Sequence, residues 1–471
     1  MWKRDEVVTP DDWLPHGEAV ARANREKPLA IWQGIPGERS RIHVFRRGTH
    51  QDLGRWERSV DTPHPCRVDP PCDRYSTCGG CPIMHLDAGG QARVRRYLIR
   101  RALEAVDLQA WEPAPMVASP DGDQAFRHHI ALVAGRSDRD RIRLGVVGRN
   151  GRDVIPIPGC LVVTPGLKQA MKGFAHHVIA LDVRPWSPSR RDGLLRSVIL
   201  RQSRATGEIL ATLVAAHRAP VLGALAEAVA MELADLAGVH LHLDDDPGST
   251  ALDGASEGLT RHLLGRDTTE EQVAGLRLLV GPLDAFAPNP SLADRLVRDV
   301  EALLPPDRPV LDLDCGLGGI TLVAARRTGW ALGVEEHEHA ILHARAAASL
   351  NGLQAEFMGG RVGEAVPGVA RRLGGTAPSV VVHLGRRGLD PGVEEAIRAL
   401  EPGRLLFVSS SLTALSRNLA SFVASGFRPV SLVPYDMLPH RAHVEVVAVL
   451  DGPVTGIPRP APRRRRVGAP P

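Results

Sequence analysis

Cys72, Cys78 and Cys81 fall within one ten-residue run, CDRYSTCGGC, and Cys160 follows about eighty residues later in PIPGC. Four of the six cysteines are thus placed as a thiolate cage. Sulfur ligands in this number serve an iron–sulfur cluster or a structural zinc. A zinc ribbon normally presents two close pairs, whereas three clustered ligands and one remote one favour a [4Fe–4S] cluster. The competing reading is scattered buried thiols or disulfides. Six cysteines in 471 residues make no disulfide framework, and no apolar signal segment opens the chain. The expectation is a cytoplasmic protein with an oxygen-sensitive metal site.

The elements that must hold these thiols are set by length and composition. A chain of 471 residues with 43% hydrophobic content implies two to four domains with sizeable cores. It contains no apolar run of about twenty residues, so no membrane span is expected. The net charge is only +4, yet Lys3, Lys27, Lys168 and Lys172 are the only lysines among 58 basic residues. Arginine forks suit phosphate, which points to RNA, but a GC-rich genome also replaces lysine by arginine.

Residues 1–62 alternate short apolar stretches with Gly and Pro, the pattern of a small β-barrel. A Pro- and Cys-rich loop follows from Pro63 to about His85. The next segment, GQARVRRYLIRRALEAV, reads as a helix whose Arg93, Arg95, Arg96, Arg100 and Arg101 face either a phosphate backbone or solvent. HHIALVAG, RIRLGVVGR, LRSVILRQSR and EILATLVAA are strands and 220–237 a helix, making 63–280 an α+β domain. In 281–452 the strands PVLDLDCGLGG, WALGVEE, SVVVHLG and RLLFVSS each lead into a helix, as in a doubly wound parallel sheet. FRPVSLVPYDM and HVEVVAVLD close it as adjacent strands. The tail 453–471, with four arginines from Arg463 to Arg466, reads as disordered and basic.

In this order the motifs identify a resemblance. The chain is similar to the SAM-dependent RNA 5-methyluridine (uracil-C5) methyltransferases, in the iron–sulfur branch acting on tRNA and large-subunit rRNA. HGEAVAR and GIPGE resemble the RNA-binding TRAM barrel, and RVDPPCDRYSTCGGCPIMHLDAGGQ resembles the cluster loop. LDLDCGLGG, GVEE, SLNGL, GRRGLDP, RLLFVSS and PHRAHVEVVAVL match the methyltransferase motifs in sequence. The resemblance implies a Rossmann-like C-terminal domain, cluster ligation by Cys72, Cys78, Cys81 and Cys160, and structured RNA as partner. Cys66 and Cys315 lie outside the ligand pattern.

Several positions depart from the family. Uracil C5 is a poor nucleophile until a thiolate adds at C6; a base then removes the C5 proton after methyl transfer. The family's Val-Ser-Cys-Asn-Pro turn reads Val408-Ser409-Ser410-Ser411-Leu412, so Ser410 occupies the nucleophile position. A serine hydroxyl is essentially un-ionised at pH 7 and needs an adjacent base. Glu445 falls on the proton-abstracting glutamate, unless it is an ordinary strand-end carboxylate. The Asp-Pro-Pro-Arg loop has become His383-Leu384-Gly385-Arg386.

The SAM site has changed too. Gly316 and Gly318 supply the turn that lets backbone approach a ligand, and Glu335 the acid for ribose hydroxyls. Asp314 replaces an aromatic residue, Ala287 a glutamine, and Arg361 the aspartate that faces the adenine. Arginine offers donors only. Asp314 and Glu335 are read as pairing with Arg361 across the pocket. Two functions follow: a catalytically degenerate RNA-binding member acting on rRNA or tRNA, or a SAM-dependent methyltransferase with altered chemistry. The second would modify a more nucleophilic atom, or use Ser410 with Glu445 or His383 as helper. A redox-sensing role for the cluster is the third reading.

Overall fold

The strand Ser40–Arg46 shows how the N-terminal pattern folds: Ser40, Ile42 and Val44 are buried while Arg41 and His43 between them are partly exposed. In the computed structural model, which describes residues 4–23, 25–136, 141–246, 259–373 and 376–453, six strands between Arg4 and Ser59 form this first sheet. Its small core is Leu29, Ile31, Ile42 and Val44. The arginine run Arg463 to Arg466 lies outside the described residues.

Glu38 ties the sheet to the cysteine loop. Its carboxylate accepts from Arg67 Nε at 2.8 Å and from the His64 amide at 3.0 Å. Burial works against the charge, but Arg67 above all and the His64 amide leave Glu38 at about 2. Tyr75 pins the loop internally, its hydroxyl 2.6 Å from His85 Nδ1 and donating to Pro82 O at 3.0 Å.

The helix Ala88–Glu104 begins at Asp87, whose side chain accepts from Gly90 N. Four of its five arginines, Arg93, Arg96, Arg100 and Arg101, are exposed, as a solvated or phosphate-facing helix row requires. Arg93 donates to Cys66 Sγ, Arg96 and Arg100 pair with Glu112, and Arg101 pairs with Asp12. Arg95 departs from the row: 2% exposed, it donates to Arg441 O at 2.8 Å and pairs with Asp436 at 2.9 Å, because the C-terminal domain packs on its side of the helix.

The central sheet has seven strands, in the spatial order Leu259–Gly265, Leu236–Leu243, Ile209–Ala215, Leu195–Gln202, His129–Arg136, Ile142–Val147, Val154–Ile155. Helices Pro165–Ala180 and Pro220–Glu232 cover one face, burying Phe174, Leu225, Val239 and Leu241. Alternation puts His240 and His242 on the other face.

The C-terminal sheet is doubly wound. Its parallel strands lie in the order Ala355–Gly359, Ala331–Glu335, Val310–Leu313, Ser379–Leu384, Arg404–Ser409, followed by Glu445–Asp451, which runs against them, and Arg428–Tyr435, which runs with them. This is the Rossmann-like architecture the motifs imply. The order reverses between Val310–Leu313 and Ser379–Leu384, and ligands bind at such switch points, beyond the carboxyl ends of the strands. The hairpin Thr269–Val273 and Leu276–Val280 packs Val273, Leu276 and Leu278 into this layer's core, upstream of residue 281. No helix among the described residues is long and apolar enough to cross a membrane.

Candidate active site and thiol cavity

Cys72, Cys78, Cys81 and Cys160 line one cavity of about 460 Å³. Backbone bonds hold its walls: Arg149 Nε donates to Cys78 O at 3.0 Å, Arg441 Nε to Gly80 O at 2.6 Å, and Gly80 N to Cys78 Sγ at 3.3 Å. Cys160 is set by a turn in which its amide donates to Ile157 O. All six cysteines are free thiols. Burial first, then the neighbouring Cys160, Cys78 and Cys72, pushes the Cys81 thiol up to about 12, with Arg441 opposing. Four thiols converging in a poorly solvated cavity cannot all ionise without a cation, and a bound metal deprotonates them outright. The donor set therefore fits a thiolate-ligated metal group. Tetrahedral zinc with Zn–S of about 2.3 Å would draw the sulfurs to roughly 3.8 Å apart. Among the described residues, the ligand groups gathered within 4.8 Å lie elsewhere, so these thiols are spread more widely than that. Cys66 stands apart, buried, with its sulfur 2.8 Å from Arg93 Nη2 and 3.0 Å from His64 Nδ1.

A second cavity, about 520 Å³, brings Ser410, Glu445 and Ala287 together with His129, Arg201 and Asp284 from outside the anticipated set. Ser410 follows the strand Arg404–Ser409 and precedes Ser411, which caps the helix Leu412–Ala424 through Ala414 N. It is exposed, and its hydroxyl makes no hydrogen bond to a described residue. Glu445 begins the strand Glu445–Asp451, opposite Tyr435. Burial raises its carboxyl to about 7, with nearby His383 pulling the other way. His383 is itself pulled down by desolvation, but Asp312 foremost, then Asp314 and Glu445, leave it above the ordinary histidine value. Its Nε2 lies 3.2 Å from Asp312 Oδ1, and the other Asp312 oxygen accepts from Thr321 Oγ1 at 2.7 Å.

Sequence reasoning missed Arg201, His129, Asp312 and Thr321. Arg201 is 5% exposed. Its Nη2 donates to Asp284 O at 2.6 Å, while Nε and Nη1 have no hydrogen-bond partner among the described residues. Burial lowers it to about 10, with Asp284 and Glu271 opposing. An arginine inside an apolar strand pattern, LRSVILRQSR, was the available signal. His129 borders both cavities. Burial first, then Arg201 and Arg127, hold it well below the usual histidine value and so neutral.

The glycine loop has the expected turn. Gly316 (φ +54°) has open space where a Cβ would stand, whereas a Cβ on Gly318 (φ +76°) would lie 2.7 Å from the Phe357 ring. Asp314 also adopts positive φ, at +56°. Burial, then Glu335, with Glu336 and Asp312 adding and His383 opposing, raises its carboxyl to about 6. Glu335 accepts from Gly316 N at 3.0 Å and His337 N at 2.9 Å, and lies 2.7 Å from His337 Nδ1. The pairing expected of Arg361 with Asp314 and Glu335 does not occur. Arg361 precedes the helix Val362–Arg372 with its side chain 78% exposed, 3.5 Å from Glu336. Glu335 is already engaged by backbone donors, and the chain leaves the sheet before Arg361 can turn inward.

No protein-family model matches the chain. Over 440 residues it is 28% identical to a protein of Gloeobacter violaceus named an uncharacterized RNA methyltransferase, covering 92% of this chain and 94% of the relative. A similarly named protein of Listeria innocua is 25% identical over 447 residues, 94% of this chain and 96% of its own. Among solved structures, the Pyrococcus abyssi tRNA (uracil-54, C5)-methyltransferase in complex with S-adenosyl-L-homocysteine superposes with a TM-score of 0.73. It is 22% identical and covers 94% of this chain and 100% of that one, so it shows the fold. The resemblance to RNA methyltransferases is borne out along the chain, in the naming of its relatives and in the fold.

Proposed function

We propose that the chain binds structured RNA, rRNA or tRNA, on a SAM-dependent RNA methyltransferase framework, and has lost covalent uracil-C5 methylation. One observation carries this: Ser410, at the nucleophile position, opens on the cavity of Glu445, and its hydroxyl makes no hydrogen bond to a base among the described residues. A neutral serine there cannot add to C6, and without that addition C5 does not attack a methyl sulfonium.

The rest of the cavity retains the chemistry of base binding. Glu445, near neutrality, can accept from or donate to a base edge. The two unpaired Arg201 donors suit a carbonyl or phosphate oxygen. RNA is read mostly through unstacked bases, and a cavity of this size admits one. Residues 1–62 we assign as a TRAM-type RNA-binding barrel, 63–280 as the central domain and 281–452 as the methyltransferase-like domain. Cys72, Cys78, Cys81 and Cys160 would hold a [4Fe–4S] cluster, whose part here is to brace the cysteine loop against the central sheet.

A second reading, methylation of a more nucleophilic RNA atom, is favoured by the acid–base pair Glu445 and His383. Calorimetric SAM titration of protein purified without oxygen, with labelled methyl transfer to total rRNA and tRNA, separates the two. RNA binding with a steep salt dependence but no label transfer supports the first reading. Micromolar SAM binding with transfer by the unaltered protein overturns it. Uracil methylation by Ser410→Cys, absent before the substitution, would identify the missing thiol as the lesion.

A further inference from the structure

On the face of the central sheet opposite its helices, His240 of Leu236–Leu243 stands directly across from His262 of the edge strand Leu259–Gly265. Directly opposed residues in antiparallel strands share one face with Cβ atoms about 5 Å apart, and the two imidazoles meet edge to face, 5.5 Å between centres. The chain then turns at Gly265 (φ +78°), where a Cβ would lie 2.1 Å from Ala237 O, so only glycine passes. That turn carries Asp267 back until its Oδ1 is 3.6 Å from His240 Nε2. Donor atoms of His240, His262 and Asp267 all lie within 4.8 Å of one another.

Two further facts separate this group from a chance cluster. His240 is 2% exposed, yet among the described residues neither ring nitrogen has a hydrogen bond of normal geometry; Asp267 and the Ala211 backbone merely face it. Buried polar groups nearly always have partners, and a buried ring without one is suited to take an ion or water. His262 Nε2 is 2.9 Å from Gly265 O, and because a carbonyl only accepts, that nitrogen carries the proton. Its Nδ1 therefore keeps a lone pair, the tautomer locking seen in metal-ligating histidines.

We propose that His240, His262 and Asp267 bind a divalent transition-metal ion, of which zinc suits two imidazoles and a carboxylate best. Ligand distances of about 2.0–2.2 Å require the three groups to close up, which the exposed Asp267 and His262 are free to do. The ion would clip the edge strand and the Gly265 turn to the body of the sheet. Thr212 pairs with both His240 and Ile199, and Ile199 lines the cavity of Glu445. The clip thus lies on the same sheet face as that cavity, at its outer rim.

The test is zinc binding by the full chain, its thiol cavity intact, compared with His262→Ala and Asp267→Asn. Both substitutions are at exposed positions outside the cavity of Glu445, so the fold should tolerate them. After dialysis against micromolar zinc chloride, the unaltered protein should retain one more zinc equivalent than His262→Ala. Asp267→Asn should weaken that equivalent at least about ten-fold. Zinc should also raise the melting temperature of the unaltered protein and not that of His262→Ala. Equal zinc content and equal melting shifts in all three proteins would overturn the proposal and assign any bound zinc to the cysteines.

Discussion

The His383 imidazole stands 3.2 Å from the Asp312 carboxylate, and this contact keeps it above the ordinary histidine value while it faces Glu445. Glu445 is in turn raised from 4.5 to about 7 by burial, less what His383 gives back. A carboxyl raised on folding binds more protons in the native than in the unfolded state. Its favourable contribution is full below about 4.5 and lost as pH rises through about 7. Glu445→Gln should flatten the stability profile across that window, by up to roughly 3 kcal/mol between its ends. His383→Asn should move the fall in stability to higher pH. Urea unfolding at a series of pH values measures both.

Arg95 and Asp436 form a nearly buried pair that docks the basic helix on the C-terminal domain. Arg95→Ala removes both that pairing and the buried hydrogen bond to Arg441 O, so it should destabilise by about 3 kcal/mol. Asp436 is already raised to about 6 by burial, against the pull of Arg95, and without the guanidinium it should become neutral at pH 7. Arg96→Ala and Arg100→Ala, which break only exposed pairs with Glu112, should each cost less than about 1 kcal/mol. Chemical denaturation of the three variants checks the contrast.

Arg201 offers the cavity two unpaired donors. Arg201→Met should weaken RNA binding by about ten-fold, the worth of a charge-assisted hydrogen bond, with the far-ultraviolet circular dichroism unchanged. Filter binding at fixed salt gives the ratio. Equal affinity would remove Arg201 from the binding surface.

On the proposed cluster ligation, Cys160→Ser should abolish iron retention and the iron–thiolate absorbance of protein purified without oxygen, since it removes one of the four thiols of the cavity. Cys66→Ser should leave both unchanged, because Cys66 sits outside that cavity beside Arg93 and His64. Metal analysis of the two variants separates ligand from bystander.

Most of the fold was legible because it rests on local periodicity. The strands Val310–Leu313 and Arg404–Ser409 are short apolar runs between turn signals, and each leads into a helix. What failed was partnering. Nothing in GQARVRRYLIRR tells that Arg95 is buried against Asp436, over three hundred residues away. The alignment of Arg361 with an aspartate that faces the adenine in the resembled family implies an inward side chain, yet Glu335 is already taken by the Gly316 and His337 amides. His240 and His262 became visible as a pair only once strand register put them opposite each other.

Those two amides have a thermodynamic consequence at the glycine loop. A ligand that brings hydroxyls to Glu335 meets a carboxylate that is already latched, by bonds that also set the path of the chain at Gly316. Oε1 carries two of the contacts, from His337 N and Nδ1, and Oε2 only that from Gly316 N, so one acceptor position is left, on Oε2. A first hydroxyl adds a bond there, whereas a second has to displace an amide or the imidazole, and the net gain of such an exchange is far smaller than that of a new bond.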